Sequence, residues 1–254
     1  QDFLVKGQVN GPTLARALRY AVQRRVVDAT QRERIAALVR AEENARLERG
    51  LLPAPSVRDP RLRLSTHYRP GRHQSLLGGD FYDIVETPDG RLHVVVGDVA
   101  GHGPDSAALG VLLRGAWRAL VLSGVERSEV LPQLSNMLCL ERESDEMFAT
   151  AIYLTVGDDR RHVEVFNAGH PRPLSLTGEI APPWPDRHGP ILGVPAISGW
   201  RPISVDLADG WPLMLYTDGL IEGGNGEERL GEDGLCTFLG VEMAIDPDIA
   251  TLPR

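Results

Sequence analysis

The sequence predicts an α+β fold in which antiparallel strands form two sheets and helices pack outside them. Apolar runs of strand length follow one another across short turns, which is the pattern of hairpins. The helical patterns that interrupt these strands form an adjacent pair and do not alternate with single strands. This segregation favours antiparallel sheets over a doubly wound parallel sheet.

A long helix is predicted ahead of this core, over residues 13–50, because the segment is rich in Ala, Leu, Arg and Glu and has no proline. Its apolar residues fall near a coiled-coil repeat that is interrupted by the polar stretch 28–34. Two interpretations stay open: a regulatory helix that forms a homodimer, or a solvated helix packed on its own domain. The apolar residues are Leu14, Leu18, Val22, Ile35, Leu38, Ala45 and Leu52.

A linker is predicted over residues 51–60, where three prolines prevent the helix from continuing. Residues 61–254 then form one domain. Its predicted strands are Leu62–Tyr68, Phe81–Glu86, Leu92–Asp98, Phe148–Val156, His162–Asn167, Ile203–Leu207 and Pro212–Thr217. Its predicted helices are Ser106–Ser123 and Val130–Leu140, and the Pro- and Gly-rich segment Ala181–Pro195 is predicted to be a surface loop.

Composition excludes several classes of function. A net charge of −8 argues against a nucleic-acid groove, which needs a concentrated basic surface. The two cysteines, Cys139 and Cys236, have neither disulfide-framework nor zinc-site spacing. No apolar run is long enough to span a bilayer, and the first residues lack a signal-peptide pattern, so we expect a cytoplasmic protein without membrane contacts.

Three aspartates, Asp80, Asp98 and Asp218, each stand beside a glycine where a strand pattern begins or ends. Carboxylates and the backbone carbonyls that small neighbours expose are the ligands of Mg²⁺ and Mn²⁺. A single Asp-Gly pair is usually only a turn, and spacing alone does not show that the three converge.

Five ordered strings carry a resemblance to a known family: GGDFYD at 78–83, VVVGDVAGHGPDSAAL at 94–109, MFATAIY at 147–153, VEVFNAGHPRPL at 163–174 and LMLYTDGLIEG at 213–223. Over roughly residues 50–240 the chain resembles the SpoIIE/RsbU branch of the metal-dependent serine/threonine protein phosphatases. The resemblance implies an α-β-β-α sandwich with two Mn²⁺ or Mg²⁺ ions. It implies hydrolysis of phosphoserine or phosphothreonine, with a STAS-type regulatory protein as the substrate class.

The resemblance also implies roles for individual residues. Asp98 matches the carboxylate that bridges both metals, the Val99 carbonyl matches a backbone ligand, Asp218 matches a carboxylate ligand, and Asp80 matches the acidic residue near the metal waters. Water activated between the ions would attack phosphorus directly, without a phosphoenzyme. His102 could be a general acid or hold its turn, and His170 fits a supporting or packing role better than that of a ligand.

The sequence departs from the family at both ends. The Asp-Asp pair that usually opens a last strand is missing, Asp248 is a poor substitute, and too few residues follow Phe238 for the usual intervening helix. We expect a truncation there. Residues 1–12 resemble the tail of a response-regulator receiver domain, with Lys6 as its phosphate-sensing lysine. The missing pair leaves open a catalytically weak module that docks a partner. A phosphatase of small molecules is a third option, because substrate contacts come from loops such as Ala181–Pro195, whose specificity the sequence does not indicate.

Overall fold

A computed structural model describes residues 11–51, 53–69, 78–177, 180–185, 187–194, 199–208, 210–223 and 229–245. The chain divides into two compact units, Gln1–Leu51 and Leu52–Arg254. The residues that resemble a receiver domain, including Lys6, lie outside the described part except for the last two. In the described ranges, no helix is both long enough and apolar enough to cross a membrane.

The first unit contributes helix α1, Gly11–Leu51, where the sequence predicts a helix over 13–50. Apolar side chains are exposed along it, among them Leu14, Leu18 and Val22. A homodimer through these residues stays a prediction.

The second unit contains two antiparallel sheets. The larger has the strand order β1-β2-β3-β4-β6, formed by Asp80–Glu86, Leu92–Val99, Ala149–Val156, His162–Ala168 and Ile203–Asp206. The smaller pairs β5, Leu174–Ser175, with β7, Leu213–Met214. Gly90 ends the β1–β2 turn with a φ of 81°, a backbone conformation that glycine adopts without strain.

Helices α2, Pro104–Leu122, and α3, Arg127–Glu141, cover one face of the larger sheet. Leu113 and Trp117 of α2 and Leu134 of α3 are fully buried against Tyr153 of β3 in this core. The Trp117 ring meets the Tyr153 ring edge to face, with 6.0 Å between their centroids. This aromatic contact helps to hold the helix pair on the sheet.

The opposite face of the larger sheet packs toward the smaller one. In β7, Leu213 joins the core of the larger sheet, while Met214 joins a separate core with helix α5, Gly231–Ile245. Neighbouring residues of a strand point to opposite faces, so β7 lies between two apolar layers. The order is therefore helices, sheet, sheet, helix, and the predicted α+β fold with an α-β-β-α arrangement is confirmed.

Three expectations about individual elements were wrong. Residues 62–68 form no strand: the edge of β1 is instead contacted by Ser56, whose N–H donates to the Ile84 carbonyl at 3.0 Å. The strand expected over Pro212–Thr217 has only two residues. The residues after Phe238 were expected to be too few for a helix, but helix α5 begins at Gly231, well before Phe238, and continues to Ile245.

The described residues of the segment 181–195, which are 181–185 and 187–194, are more than a surface loop. Trp184 and Leu192 are buried within it, and Leu192 exchanges backbone hydrogen bonds with Ala149 of β3. The apolar side chains among its prolines and glycines therefore fix it to the core.

Candidate metal centre

Two of the three predicted aspartates lie opposite each other on neighbouring strands. Asp80 begins β1 and pairs with Asp98 near the end of β2, and Asp98 in turn lies opposite Thr150 of β3. Directly opposed residues of antiparallel strands project to the same face of the sheet. The sheet therefore brings the two carboxylates together at one of its ends.

Gly79 allows the backbone to pass closely beside this pair. A Cβ at Gly79 would lie 2.2 Å from the Val99 carbonyl oxygen and 2.8 Å from the Asp98 Oδ1. The Val99 N–H donates to the Gly79 carbonyl at 3.1 Å, and α2 approaches this carbonyl through Gly110. Only a residue without a side chain fits there, so Gly79 determines where the Val99 carbonyl and the Asp98 carboxylate stand.

The third aspartate, Asp218, comes from a different part of the chain. It is the first residue of the short helix α4, Asp218–Glu222, four residues after β7 ends. The side chain of the preceding residue, Thr217, lies near the Asp80 carboxylate and lowers its pKa. The segment that carries Asp218 therefore lies close to the start of β1.

The three carboxylates influence one another electrostatically. The pKa of Asp98 is raised to about 7, first by burial and then by the negative charges of Asp80, Asp218 and Glu222. Burial also raises the pKa of Asp80, with a contribution from Asp218. The site is thus a partly buried concentration of negative charge.

A divalent cation would relieve this repulsion, and its chemistry fits the donors. Carboxylate and carbonyl oxygens at Asp80, Asp98, Val99 and Asp218 are the ligand types of Mg²⁺ and Mn²⁺. Among the residues that the structure describes, no three His, Cys, Asp or Glu side chains already form a cluster that could hold an ion. Asp248, the poor substitute for the usual terminal pair, lies outside the described residues.

An open cavity of about 310 Å³ lies beside Asp218. Its lining includes Thr150, His170, Arg172, His188, Asp218 and Glu232. Arg172 lines the same cavity as Asp218, and its guanidinium is 4.0 Å from the Glu232 carboxylate. The sequence reasoning missed Arg172, Glu222 and Thr150, although all three lie within the motifs that carry the resemblance, which was the available signal.

The two predicted histidines stand in different environments. His102 is exposed in the turn between β2 and α2. His170 is buried, at 1% exposure, and its ring nitrogens lie within hydrogen-bonding distance of Thr150 and Tyr216. His170 therefore contacts the segments around the aspartates.

A helix-flanked pair of antiparallel sheets, with three acidic residues at one end beside an open cavity, is the architecture that the resemblance to the metal-dependent serine/threonine (PPM) phosphatases implies. The family model described as Stage II sporulation protein E (SpoIIE) matches residues 88–248, more than half of the chain. The chain belongs to the SpoIIE family.

The chain is also similar to two curated proteins and to two solved structures. The chain is 26% identical over 189 residues to phosphoserine phosphatase RsbP of Bacillus subtilis, covering 70% of this chain and 44% of RsbP. It is 24% identical over 237 residues to protein IcfG of Synechocystis sp., covering 81% of this chain and 37% of IcfG. The chain therefore spans less than half the length of these curated relatives.

The structure of the RsbU and RsbW domains of Rv1364c from Mycobacterium tuberculosis superposes with a TM-score of 0.58 at 31% identity, covering 68% of this chain and 47% of that one. The SiaA-PP2C domain of Pseudomonas aeruginosa superposes with a TM-score of 0.54 at 24% identity, covering 64% and 65% of the two chains, a likeness of fold alone.

Proposed function

We propose that this chain is a cytoplasmic signalling phosphatase that removes phosphate from serine or threonine of a STAS-type regulatory protein, using two Mn²⁺ or Mg²⁺ ions. The observation that carries the proposal is the position of Asp80 opposite Asp98 on neighbouring strands, with Asp218 of α4 close enough to raise the pKa of both carboxyl groups. The relative RsbP bears the name phosphoserine phosphatase, which supports the substrate class.

Each site residue has a role in this proposal. Asp98 and the Val99 carbonyl would hold the ions from β2, Asp218 would hold one from α4, and Asp80 would accept hydrogen bonds from metal-bound water. When bound, two such ions lower the pKa of a water between them and offset the charge of the phosphoryl oxygens. Arg172, at the cavity beside Asp218, would bind a phosphoryl oxygen or an acidic side chain of the substrate.

Hydrolysis is proposed to be direct. Cys139 lies on α3 with its thiol near the Gly193 carbonyl, and Cys236 lies on α5 in the core beneath the smaller sheet. Burial raises the pKa of the Cys236 thiol, which disfavours a thiolate nucleophile. Trapping a covalent phosphoenzyme after acid quench would contradict direct hydrolysis.

The activity experiment uses a phosphoserine STAS protein and measures Mn²⁺-dependent phosphate release by the full chain. Asp98→Ala is expected to abolish release, whereas Asp158→Asn, an exposed residue in the β3–β4 turn, should behave as wild type. Release that survives Asp98→Ala would overturn the assignment of the site. Turnover of p-nitrophenyl phosphate without turnover of the phosphoprotein would favour a phosphatase of small molecules, and no turnover of either would favour the docking module.

Regulation by α1 is the second part of the proposal. The segment after α1 is tied to the catalytic domain, because Arg118 of α2 donates to the Ala54 carbonyl at 3.3 Å. The same arginine lies 3.4 Å from the fully buried Asp83 carboxylate of β1. Since α2 begins directly after the Asp98 turn, a change in α1 could reach the acidic site through these contacts.

The dimer is tested by Leu18→Glu, which places a charge in the exposed apolar series of α1. We expect light scattering to show loss of the dimer, while Arg16→Glu, on the other side of the helix, should leave it intact. A wild-type chain that is monomeric at all concentrations would contradict this part of the proposal.

A further inference from the structure

The turn that follows β4 holds one histidine in a fixed position. The His170 N–H donates to the Asn167 Oδ1 at 2.8 Å, and the Asn167 Nδ2 donates to the His170 carbonyl at the same distance. Between them Gly169 has a φ of 70°, and a Cβ there would lie 2.5 Å from the Ile191 Cγ2. These contacts fix the backbone of the turn, and in this conformation the His170 side chain points into the protein.

The hydrogen bonds of the ring select one tautomer. The His170 Nε2 is 3.1 Å from the Tyr216 carbonyl oxygen, which can only accept, so Nε2 carries the hydrogen. The Nδ1 of a neutral ring is then an acceptor, and the Thr150 hydroxyl donates to it at 2.9 Å. Burial lowers the pKa of His170 to about 4, so the ring is neutral near neutral pH.

These two partners adjoin different carboxylates of the acidic site. Thr150 is the residue of β3 opposite Asp98. Tyr216 precedes Asp218 by two residues, in a stretch after β7 that forms no strand or helix. The position of Asp218 therefore depends largely on side-chain contacts, whereas the position of Asp98 is fixed by the backbone hydrogen bonds of the sheet.

We propose that His170 is a positioning residue that fixes the Asp218 segment relative to Asp98 and thereby sets the affinity of the acidic site for divalent cations. It does so through the Tyr216 carbonyl and the Thr150 hydroxyl, without contacting the ion. The inference rests on the proposed function, because it concerns the same metal centre. Hydrogen-bonded partners that orient metal ligands commonly change metal affinity by about 10- to 100-fold.

The test is a Mn²⁺ titration by calorimetry of wild type, His170→Leu and His170→Gln. We expect His170→Leu to weaken Mn²⁺ binding by about 10- to 100-fold, with most of kcat recovered at saturating Mn²⁺. His170→Gln can still donate to the Tyr216 carbonyl, so it should recover part of the affinity.

The matched control is His93→Gln. His93 is also buried, and its Nδ1 lies 2.8 Å from the Tyr153 hydroxyl, but it is near the turn end of β2, away from Asp98. This variant should lose stability and keep its Mn²⁺ affinity. Wild-type Mn²⁺ affinity in His170→Leu, or a loss no larger than that of His93→Gln, would overturn the inference.

Thr150→Val decides the question if His170→Leu does not fold, because valine is nearly isosteric with threonine and lacks only the hydroxyl. A several-fold loss of Mn²⁺ affinity supports the positioning role, and unchanged affinity overturns it. Wild-type protein that binds no Mn²⁺ would overturn the proposed function together with this inference. If wild type binds Mn²⁺ and His170→Leu binds it equally tightly, only the inference is overturned.

Discussion

Gly79→Ala should remove activity by displacing the proposed metal ligands. The added Cβ would lie 2.2 Å from the Val99 carbonyl oxygen, whereas ordinary contacts begin at 3.4 Å. The Asp98 Oδ1, at 2.8 Å, would be too close as well. These are backbone and carboxylate atoms of the sheet, so the change cannot be absorbed by a flexible side-chain end.

The atoms around Gly79 must separate by about 1 Å, and a displacement of this size at a reacting centre can cost about 100-fold in rate. Overpacking of this kind also costs about 1–3 kcal/mol in the free energy of unfolding. We therefore expect Gly79→Ala to fold with a lower Tm and to lose about 100-fold in Mn²⁺-dependent phosphate release.

Gly78→Ala is the matched control, because a Cβ at Gly78 would make only ordinary contacts, with the Tyr68 hydroxyl at 3.7 Å and the Asp80 backbone nitrogen at 3.9 Å. It should keep both Tm and activity. The assignment of Gly79 to the site would be refuted if Gly79→Ala matched Gly78→Ala in both phosphate release and Mn²⁺ affinity.

Three further predictions concern stability. Asp98→Asn removes a partly buried charge that its neighbours repel, so it should raise the Tm of the metal-free protein. It should also abolish the increase in Tm that Mn²⁺ gives wild type. A lower Tm of the variant without metal would contradict this. Burial lowers the pKa of His93 to about 4, so the unfolded chain binds more protons than the folded one below pH 6.5. Between pH 6.5 and pH 4, His93 should therefore lower the free energy of unfolding as the pH falls, by at most about 1.4 kcal/mol per pH unit. Urea unfolding at several pH values should show that His93→Gln lacks this contribution. Trp117 is fully buried, and its Nε1 has no hydrogen-bond partner among the described residues. Trp117→Phe should cost less than about 1.5 kcal/mol and Trp117→Ala about 3–5, so equal losses would contradict the packing described for α2.

Much of the fold follows from local patterns in the sequence. The turn Thr87–Gly90 and the apolar strands on both sides determine the first hairpin, and the register follows from this turn. Because Glu86 lies opposite Leu92, counting back along both strands places Asp80 opposite Asp98. The position of these two aspartates opposite each other therefore follows from the hairpin pattern as well as from the resemblance.

The rest depends on contacts between distant segments. The alternating pattern over residues 62–68 suggested a strand, but no local signal shows that the edge of β1 is contacted by Ser56. The residues just before Asp218 lie near groups that are distant in sequence: Thr217 lies near Asp80 of β1, and the Tyr216 carbonyl is 3.1 Å from the His170 Nε2. Side-chain contacts of this range leave no periodic pattern in the sequence.

The most direct test of the account is whether Asp80, Asp98 and Asp218 form one metal centre, measured by calorimetric titration with Mn²⁺ of wild type, of each Asp→Asn variant and of the double variants. The account predicts that each single variant weakens binding and that the effects in double variants are non-additive, because the residues share the same ions. Asp158→Asn should bind as wild type. Mn²⁺ affinity that is unchanged in all three single variants would contradict the account.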